Sequence, residues 1–590
     1  MPSPGDIAYR PINPPTIGRN GWQGFNPHTS YLKKGDKPFG HRQVDCDITI
    51  EHDVEIVARD GVKLYVDVYR PTNVKAQVPA ILSYSPFGKK YSGMLMLPMT
   101  PYMCGVTGED ISGLEKFEGV DPAKWCAWDY AVISVDARGA GASEGNVAIM
   151  GTQEGEDGYD VIEAVAKMKW CDGNVALAGN SHLAIVQWFI AAQNPPSLKA
   201  IAPWEGCSDL YREQFVRGGI FNMSNFELIM KVIIQGGGGV EDFREMYARL
   251  DRGIIDPWWA DKRAQMDKIK VPTYITGSEF SSIHTMGSLR GYMEIPTEDK
   301  WLRWAGFQEW FDLWAIEETN LELKDFFDFF LKGVQNGWRE KTPKVRMSLL
   351  RYGKNEPYQK IKVPDFPIPD TDYRKYYLAD NGKFSLEGSP RETCSVSYNA
   401  EDGSMVTFTH TFDQRTQLVG LPKAAIHVSC DELDDMCLFL QLRKLDVEGN
   451  PLIHLTVPFS RAPIDDPKDA PSNGLITYNG PIGCLRASHR HIDPSRSIHP
   501  NYPFHPHDRV ELVPRGQVVK LEIGIWFMGL QYEKGESIRL DISGSNPLWP
   551  ELSTSNAEPT NKGKHTVHFG GSHAVCHESC LLYSTSDQLS

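Results

Sequence analysis

The chain has 590 residues, too many for one core, so two or three domains are expected. Its hydrophobic, aromatic and charged fractions are ordinary for a globular protein, and no apolar run reaches the length of a membrane span. Net charge is −15 without a block of five like charges, which argues against nucleic acid or an anionic membrane as a partner.

The N-terminal stretch MPSPGDIAYRPINPP has neither a basic n-region nor an apolar core, so no signal peptide is expected there. Residues 1–49 are rich in Pro, Gly and Asn, lack periodicity, and read as an extension wrapping the surface. DVEIVARDGVKLYVDVYRP alternates apolar and polar residues around Asp60-Gly61, a hairpin signal. VPAILSYSPF and YAVISVDARG are apolar runs ending in loop residues, which predicts buried strands. EGEDGYDVIEAVAKMKW places Val161, Ile162, Val165 and Met168 at helical spacing. VALAG, HLAIVQWFIAAQ and LKAIAPWEG continue the alternation of strand and helix. That alternation predicts a mostly parallel sheet with helices on both faces.

From Asp209 to about Lys268 the strand signal stops. FELIMKVIIQ and REMYARLD read as helices broken by Gly236–Gly239, a helical insertion over the sheet. No Lys-Ser/Thr follows the four glycines, so they read as a flexible connector rather than a phosphate cradle. VPTYITG and KWLRWAG resume the strands, and LKDFFDFFLKGV is an amphipathic helix. Beyond about residue 345, strand-like runs such as AAIHVSC, CLFLQLRKL and SIRLDIS recur with little helical period. They predict a separate all-β sandwich of jelly-roll type. The eleven cysteines are odd in number and scattered, as expected for reduced thiols of a cytoplasmic protein. Cys576 and Cys580 lack a second pair at zinc spacing. Five histidines between His489 and His507 lie in a Pro-rich loop, and no metal is expected at either place. Asp136 and Gly139, Gly141 and Gly145 in DARGAGASEG do not fit G-x-G-x-x-G, so no nucleotide cofactor is expected.

The series RDGVKLYVDVYRP, SPFGKK, DARGAGASEG, GNSHLA, APWEGCSDLYRE, FFDFFLKG, KYYLAD, CLRASHR and KGESIRLDISGS resembles, in order and over roughly residues 45–550, the CocE/NonD hydrolases. These are relatives of cocaine esterase, α-amino acid ester hydrolase and X-Pro dipeptidyl peptidase. GNSHLA and KWLR…QEW resemble fungal members most. The resemblance implies an α/β fold: an α/β-hydrolase core at 50–208 and 269–345, a helical cap at 209–268, and an all-β jelly-roll domain at 346–590. It implies no cofactor.

Acyl transfer at serine needs a nucleophile, a base held by an acid, and donors for the oxyanion. Gly179-Asn180-Ser181-His182-Leu183-Ala184 departs from the G-x-S-x-G elbow only at its last small residue, so Ser181 stands at the nucleophile position. Read without the resemblance, it would be a helix N-cap. The family's second oxyanion donor is a tyrosine after the first core strand, where this chain has Phe87. Its acid falls at Ser281 or Ser282, with Glu279 one or two residues out of place. Its base is a histidine on the loop after the last core strand. From Trp301 to Asp312 this chain has none.

The remaining candidates are weighed against plainer roles. His182 follows the serine, where a helix dipole disfavours the imidazolium, but that position usually packs rather than reacts. His284 in SSIHTMG is the best surviving imidazole for proton transfer; its plain role is a helix-start histidine. Glu309 and Asp312 lie on the base loop and could serve as general bases if burial raised their pKa; the alternative is a salt bridge. Phe87, Tyr91, Trp204, Trp304, Phe307 and Trp310, with Glu279 at the rim, are expected to line a strongly aromatic cleft. Such a cleft suits a large apolar molecule.

The leading expectation is an enzyme that no longer runs standard ester hydrolysis. It would position a bulky apolar small molecule, such as a secondary metabolite, for proton transfer, elimination, rearrangement or cyclisation. The alternatives are a true serine esterase or amidase with an unorthodox base, and a catalytically silent binding protein. A homodimer is the candidate assembly.

Overall fold

A computed structural model describes residues 6–74, 76–223, 225–471, 474–547, 561–573 and 580–583. Its centre is a 13-stranded sheet. In chain order the core strands are β1 (His28–Leu32), β2 (Ile48–Val57), β3 (Lys63–Pro71), β4 (Val78–Ser85) and β5 (Ala131–Asp136). They continue with β6 (Cys171–Asn180), β7 (Leu198–Trp204), β8 (Thr273–Gly277), β9 (Lys300–Trp304) and β10 (Val345–Leu350). Across the sheet the order runs β10-β9-β8-β7-β6-β4-β5-β3-β2-β1. From β5 through β4 to β10 neighbours are parallel, and β1, β2 and β3 are antiparallel.

The parallel strands are apolar runs because helices cover both faces. β4 is buried at every residue. Helices α1 (Thr152–Ala166) and α2 (His182–Ala192) pack on β6, and α3 (Thr285–Glu294), α4 (Glu309–Trp314) and α5 (Glu317–Leu331) follow β8 and β9. The strand order reverses where β4 lies between β5 and β6. In open α/β sheets ligands bind in the crevice beyond the strand ends at such a reversal.

Two features depart from the sequence reading. The extension at 1–49 is partly built into the fold. β1 forms the sheet edge, and Tyr9–Pro11 pairs antiparallel with Gly239–Glu241. Gly236–Gly239 is therefore no flexible connector. The Gly236 N–H donates to the Asn13 carbonyl at 3.0 Å, and a Cβ there would meet the Gly139 carbonyl oxygen at 1.8 Å. Glycine is required by close approach of backbones. The rest of the insertion is short helical turns, such as Leu210–Phe215 and Phe243–Ala248.

From Tyr373 onward an 11-stranded sheet encloses a second core around Leu438, Leu440, Leu540 and Ile542. The two regions interlock. Met528–Tyr532 pairs with β10 at Leu350–Leu530, and Thr416–Gly420 pairs with it in turn. Tyr358–Val363 pairs antiparallel with the whole of β10, which leaves no long row of unpaired backbone groups on that strand. Cys576 lies outside the described residues.

Candidate active site

Ser181 sits between β6 and α2 with φ +53°, in the left-handed region that a side chain enters only under constraint. The constraint is visible. The Ser181 N–H donates to the carbonyls of Trp204 at 3.2 Å and Glu205 at 3.1 Å. Gly179 precedes it because a Cβ there would lie 2.6 Å from Leu183 Cβ. The tight strand–turn–helix lifts the hydroxyl into a pocket that spans about 960 Å³, part of it open to solvent. Its walls include Phe87, Met96, Phe117, Ile229, Phe280 and Trp310.

His284 is the imidazole beside the serine, with Nε2 at 3.2 Å from Ser181 Oγ. Its other nitrogen decides what it can do. The Cys207 backbone N–H points at Nδ1, 3.1 Å away. A backbone N–H can only donate, so Nδ1 is bare and the neutral ring carries its proton on Nε2. The ring therefore donates to Ser181 instead of accepting its proton. In a working triad the arrangement is reversed, with a carboxylate accepting from Nδ1–H and Nε2 bare. Burial pushes the His284 pKa down to about 3, so a second proton is not taken up at neutral pH. The expectation of a proton-transfer imidazole is corrected accordingly: His284 is in the pocket as a neutral hydrogen-bond donor.

Three glutamates surround the serine. Glu118, Glu205 and Glu309 all line the pocket. The Glu205 and Glu309 carboxyls lie against each other; burial pushes both above the ordinary carboxylate range, Glu309 to about 7, and Glu309 raises Glu205 further. Two buried carboxyls set side by side without a cation keep a proton rather than both ionise. Ser278 Oγ–H donates to Glu205 at 2.9 Å, and Asn180, whose Nδ2–H donates to the Trp204 carbonyl at 2.9 Å, lies beside Glu309 and lowers its pKa. Glu118 is raised well above its usual range, by burial first and then by Glu309. Its carboxyl lies against the Ser181 hydroxyl and the His182 backbone N–H, and Trp310 Nε1–H donates to it at 3.4 Å. The His182 N–H is the donor that an oxyanion would need. Here the Glu118 carboxyl lies beside it, and the other donor position is filled by Phe87. None of the three glutamates forms an ion pair among the described residues.

The remaining candidates divide as follows. Phe87 and Trp310 line the pocket. His182 turns away: its Nε2 meets Glu154 at 3.1 Å and its ring packs edge-on against Phe87. Asp312 is held by Arg303 through two contacts of 2.6 Å, the salt-bridge alternative, and does not reach the pocket. Tyr91 is buried behind the wall, its hydroxyl on Met96 Sδ. Trp204 packs on Tyr274 and under Arg303, and Trp304 packs on Phe527. Phe307 packs on Phe311 and Tyr358. Glu279 points into the β domain, accepting from Tyr478 at 3.3 Å, with burial raising it to about 8. Trp204 and Glu279 each adjoin a lining residue, Glu205 and Ser278, and a one-residue offset at a strand end turns the side chain to the other face.

Glu118 and Glu205 escaped the sequence reading. Glu205 follows β7 directly, at a C-terminal strand end beside the crevice, and that position was the available signal. Glu118 lies in GLEKFEGV, which has no motif. Among the described residues no group of three or more His, Cys, Asp or Glu side chains is arranged to hold a metal ion.

Comparison with known proteins gives a consistent picture. Residues 60–311 match the model of the X-Pro dipeptidyl-peptidase (S15 family), and residues 336–575 that of the X-Pro dipeptidyl-peptidase C-terminal non-catalytic domain. The cocaine esterase of Rhodococcus sp. (strain MB1 Bresler) is 25% identical over 395 residues, 58% of this chain and 64% of that protein. The match thus spans less than two thirds of that relative's length. A CocE/NonD family hydrolase from Staphylococcus aureus superimposes with a TM-score of 0.81 at 28% identity, covering 95% of this chain and 97% of that one. An α-amino acid ester hydrolase shares the fold, with a TM-score of 0.64 at 15% identity over 91% of this chain and 96% of that one.

Proposed function

We propose that this chain, which belongs to the CocE/NonD hydrolase family, has kept the family's α/β-hydrolase core and replaced its acyl-transfer chemistry with carboxyl-based proton transfer. The observation that carries the reading is the Glu205–Glu309 pair beside Ser181, a proton-sharing dyad in an apolar pocket. A carboxyl poised near neutrality both takes and gives protons, which is what a general acid–base catalyst requires. The ionised member removes a proton from a bound carbon or oxygen acid. The protonated member returns one elsewhere on the same molecule. Ser181 O–H and His284 Nε2–H supply donors for charge that develops on a carbonyl oxygen. The products of such a sequence are those of isomerisation, elimination or cyclisation. The pocket's size and aromatic walls suit a bulky apolar substrate of the kind made in secondary metabolism.

The second reading is a serine esterase or amidase. The strained φ of Ser181 and the esterases and peptidases among the relatives favour it. Against it stand the missing base and the carboxyl beside the His182 N–H.

The test is solvent exchange. A panel of apolar ketones and β-dicarbonyl compounds is incubated with the protein in D2O and followed by mass spectrometry. Deuterium uptake that Glu309→Gln abolishes and Ser181→Ala retains is the expected result. Ester or amide cleavage abolished by Ser181→Ala, with no exchange, would overturn the reading in favour of hydrolysis. Tight retention of a co-purified molecule without turnover would favour a binding protein.

A further inference from the structure

A second cleft lies between the inserted segment and the β domain. It spans about 730 Å³, part of it open to solvent, and shares no lining residue with the pocket at Ser181. Arg212, Arg217, Arg263, Arg290 and Arg496 line it, against only two acids, Asp209 and Glu213.

Those acids do not balance the arginines. Asp209 is taken by Arg212 and Arg263, each at 2.9 Å. Glu213 is engaged by its own turn, accepting from the Ser208 hydroxyl at 2.9 Å and from the Ser208 and Asp209 N–H groups, and burial raises it to about 7. Glu294, beside the cleft, meets Arg290 at 2.8 Å and Arg263 at 3.6 Å. Arg217 and Arg496 form no ion pair among the described residues. The Arg217 guanidinium stacks on Trp526 at 3.7 Å and donates to the Ile482 carbonyl. Arg496 stacks on Phe504 at 4.1 Å, and Arg212 and Arg263 lie against the same ring at 4.4 and 5.2 Å. His505 and His507 add no counter-charge. Both have lowered pKa, the half-buried His505 between the His491 and Glu522 carbonyls and the buried His507 against His489.

Three guanidiniums around one phenyl ring repel one another. A lysine or histidine so placed would shed its proton, but arginine cannot. Asp209 answers Arg212 and Arg263, but Arg496 on the same ring has no carboxylate, so the cluster keeps a positive charge that an anion from outside would offset. Planar forks held rigid on aromatic rings fit oxygen pairs of phosphate or carboxylate. We propose that this cleft is a binding site for a multiply charged oxyanion, a phosphate ester or a polycarboxylate, engaged chiefly by Arg217 and Arg496. The site stands apart from the chemistry at Ser181 and does not depend on it.

The test is isothermal titration at fixed ionic strength with two probes, inorganic pyrophosphate and citrate. Saturable 1:1 binding of at least one probe is expected. Arg496→Ala, at an exposed position, and Arg217→Met, which keeps the stem over Trp526, should each weaken it at least about tenfold, as for loss of a charge-assisted contact. Pyrophosphate binding alone assigns a phosphate ester, and citrate binding alone a polycarboxylate. No saturable heat from either probe would overturn the proposal, as would unchanged affinity in both variants with wild-type melting curves.

Discussion

The pocket at Ser181 and the cleft at Phe504 face the same problem with opposite charges. In the first, three carboxyl groups are buried without a cation. In the second, five guanidiniums meet too few carboxylates. A carboxyl escapes repulsion and desolvation by keeping its proton; a guanidinium has no such escape. The first site can therefore offset part of its charge with retained protons, poised for transfer when a substrate arrives. The second stays charged and calls for a counter-ion. One helix serves both: His284 caps α3 at the pocket, and Met286 and Arg290 on the same helix line the cleft.

The comparison breaks most visibly at the dyad. Glu309→Gln or Glu205→Gln should lower native turnover by about 10²–10⁴-fold, the usual contribution of general acid–base catalysis. Deuterium exchange in D2O measures it. Asp312→Ala supplies the contrast. It leaves Arg303 buried without its partner, so it should cost about 3 kcal/mol of stability. Turnover per folded molecule should stay near wild type, which denaturant titration and active-fraction kinetics would check.

The proton on the dyad also carries a stability signature. The folded-state pKa of Glu309 lies above the ordinary value near 4.5, so the folded chain holds a proton that the unfolded chain releases. Stability contributed this way is present below pH 4.5 and is lost as pH rises toward about 7. Glu309→Gln removes the loss. It should raise stability by on the order of 2 kcal/mol at pH 8 relative to wild type, and by nothing at pH 4. Paired melting curves at the two pH values would show it; a gain of equal size at both would contradict it. Smaller still, Ser181→Ala and His284→Ala should each reduce turnover about tenfold or less, as for one hydrogen bond. Phe87→Tyr should create no esterase activity, since it restores a donor while Glu118 still lies beside the other and no base is added.

Much of the fold was legible because motifs and hydrophobic period report on strands, helices and their order. GNSHLA located the elbow, and the histidine-free stretch from Trp301 to Asp312 located the missing base. Glu309 and Asp312 were both plausible bases on one loop. Only the position of Arg303 on β9 separates them, and sequence does not give that distance. His284 was placed near the serine, but its role turned on a backbone N–H from Cys207, which no side-chain pattern encodes. Glu118 and Glu205 come from different parts of the chain and converge only in space. The arginine cleft is assembled likewise, from the inserted segment, from α3 and from the β domain.

The account rests on Ser181 having no base. A fluorophosphonate probe with intact-mass and peptide mass spectrometry tests that directly, because only an activated serine hydroxyl attacks phosphorus. The expected result is no more labelling of wild type at pH 7–8 than of Ser181→Ala over hours. Rapid, stoichiometric modification at Ser181 would contradict it and restore the serine hydrolase.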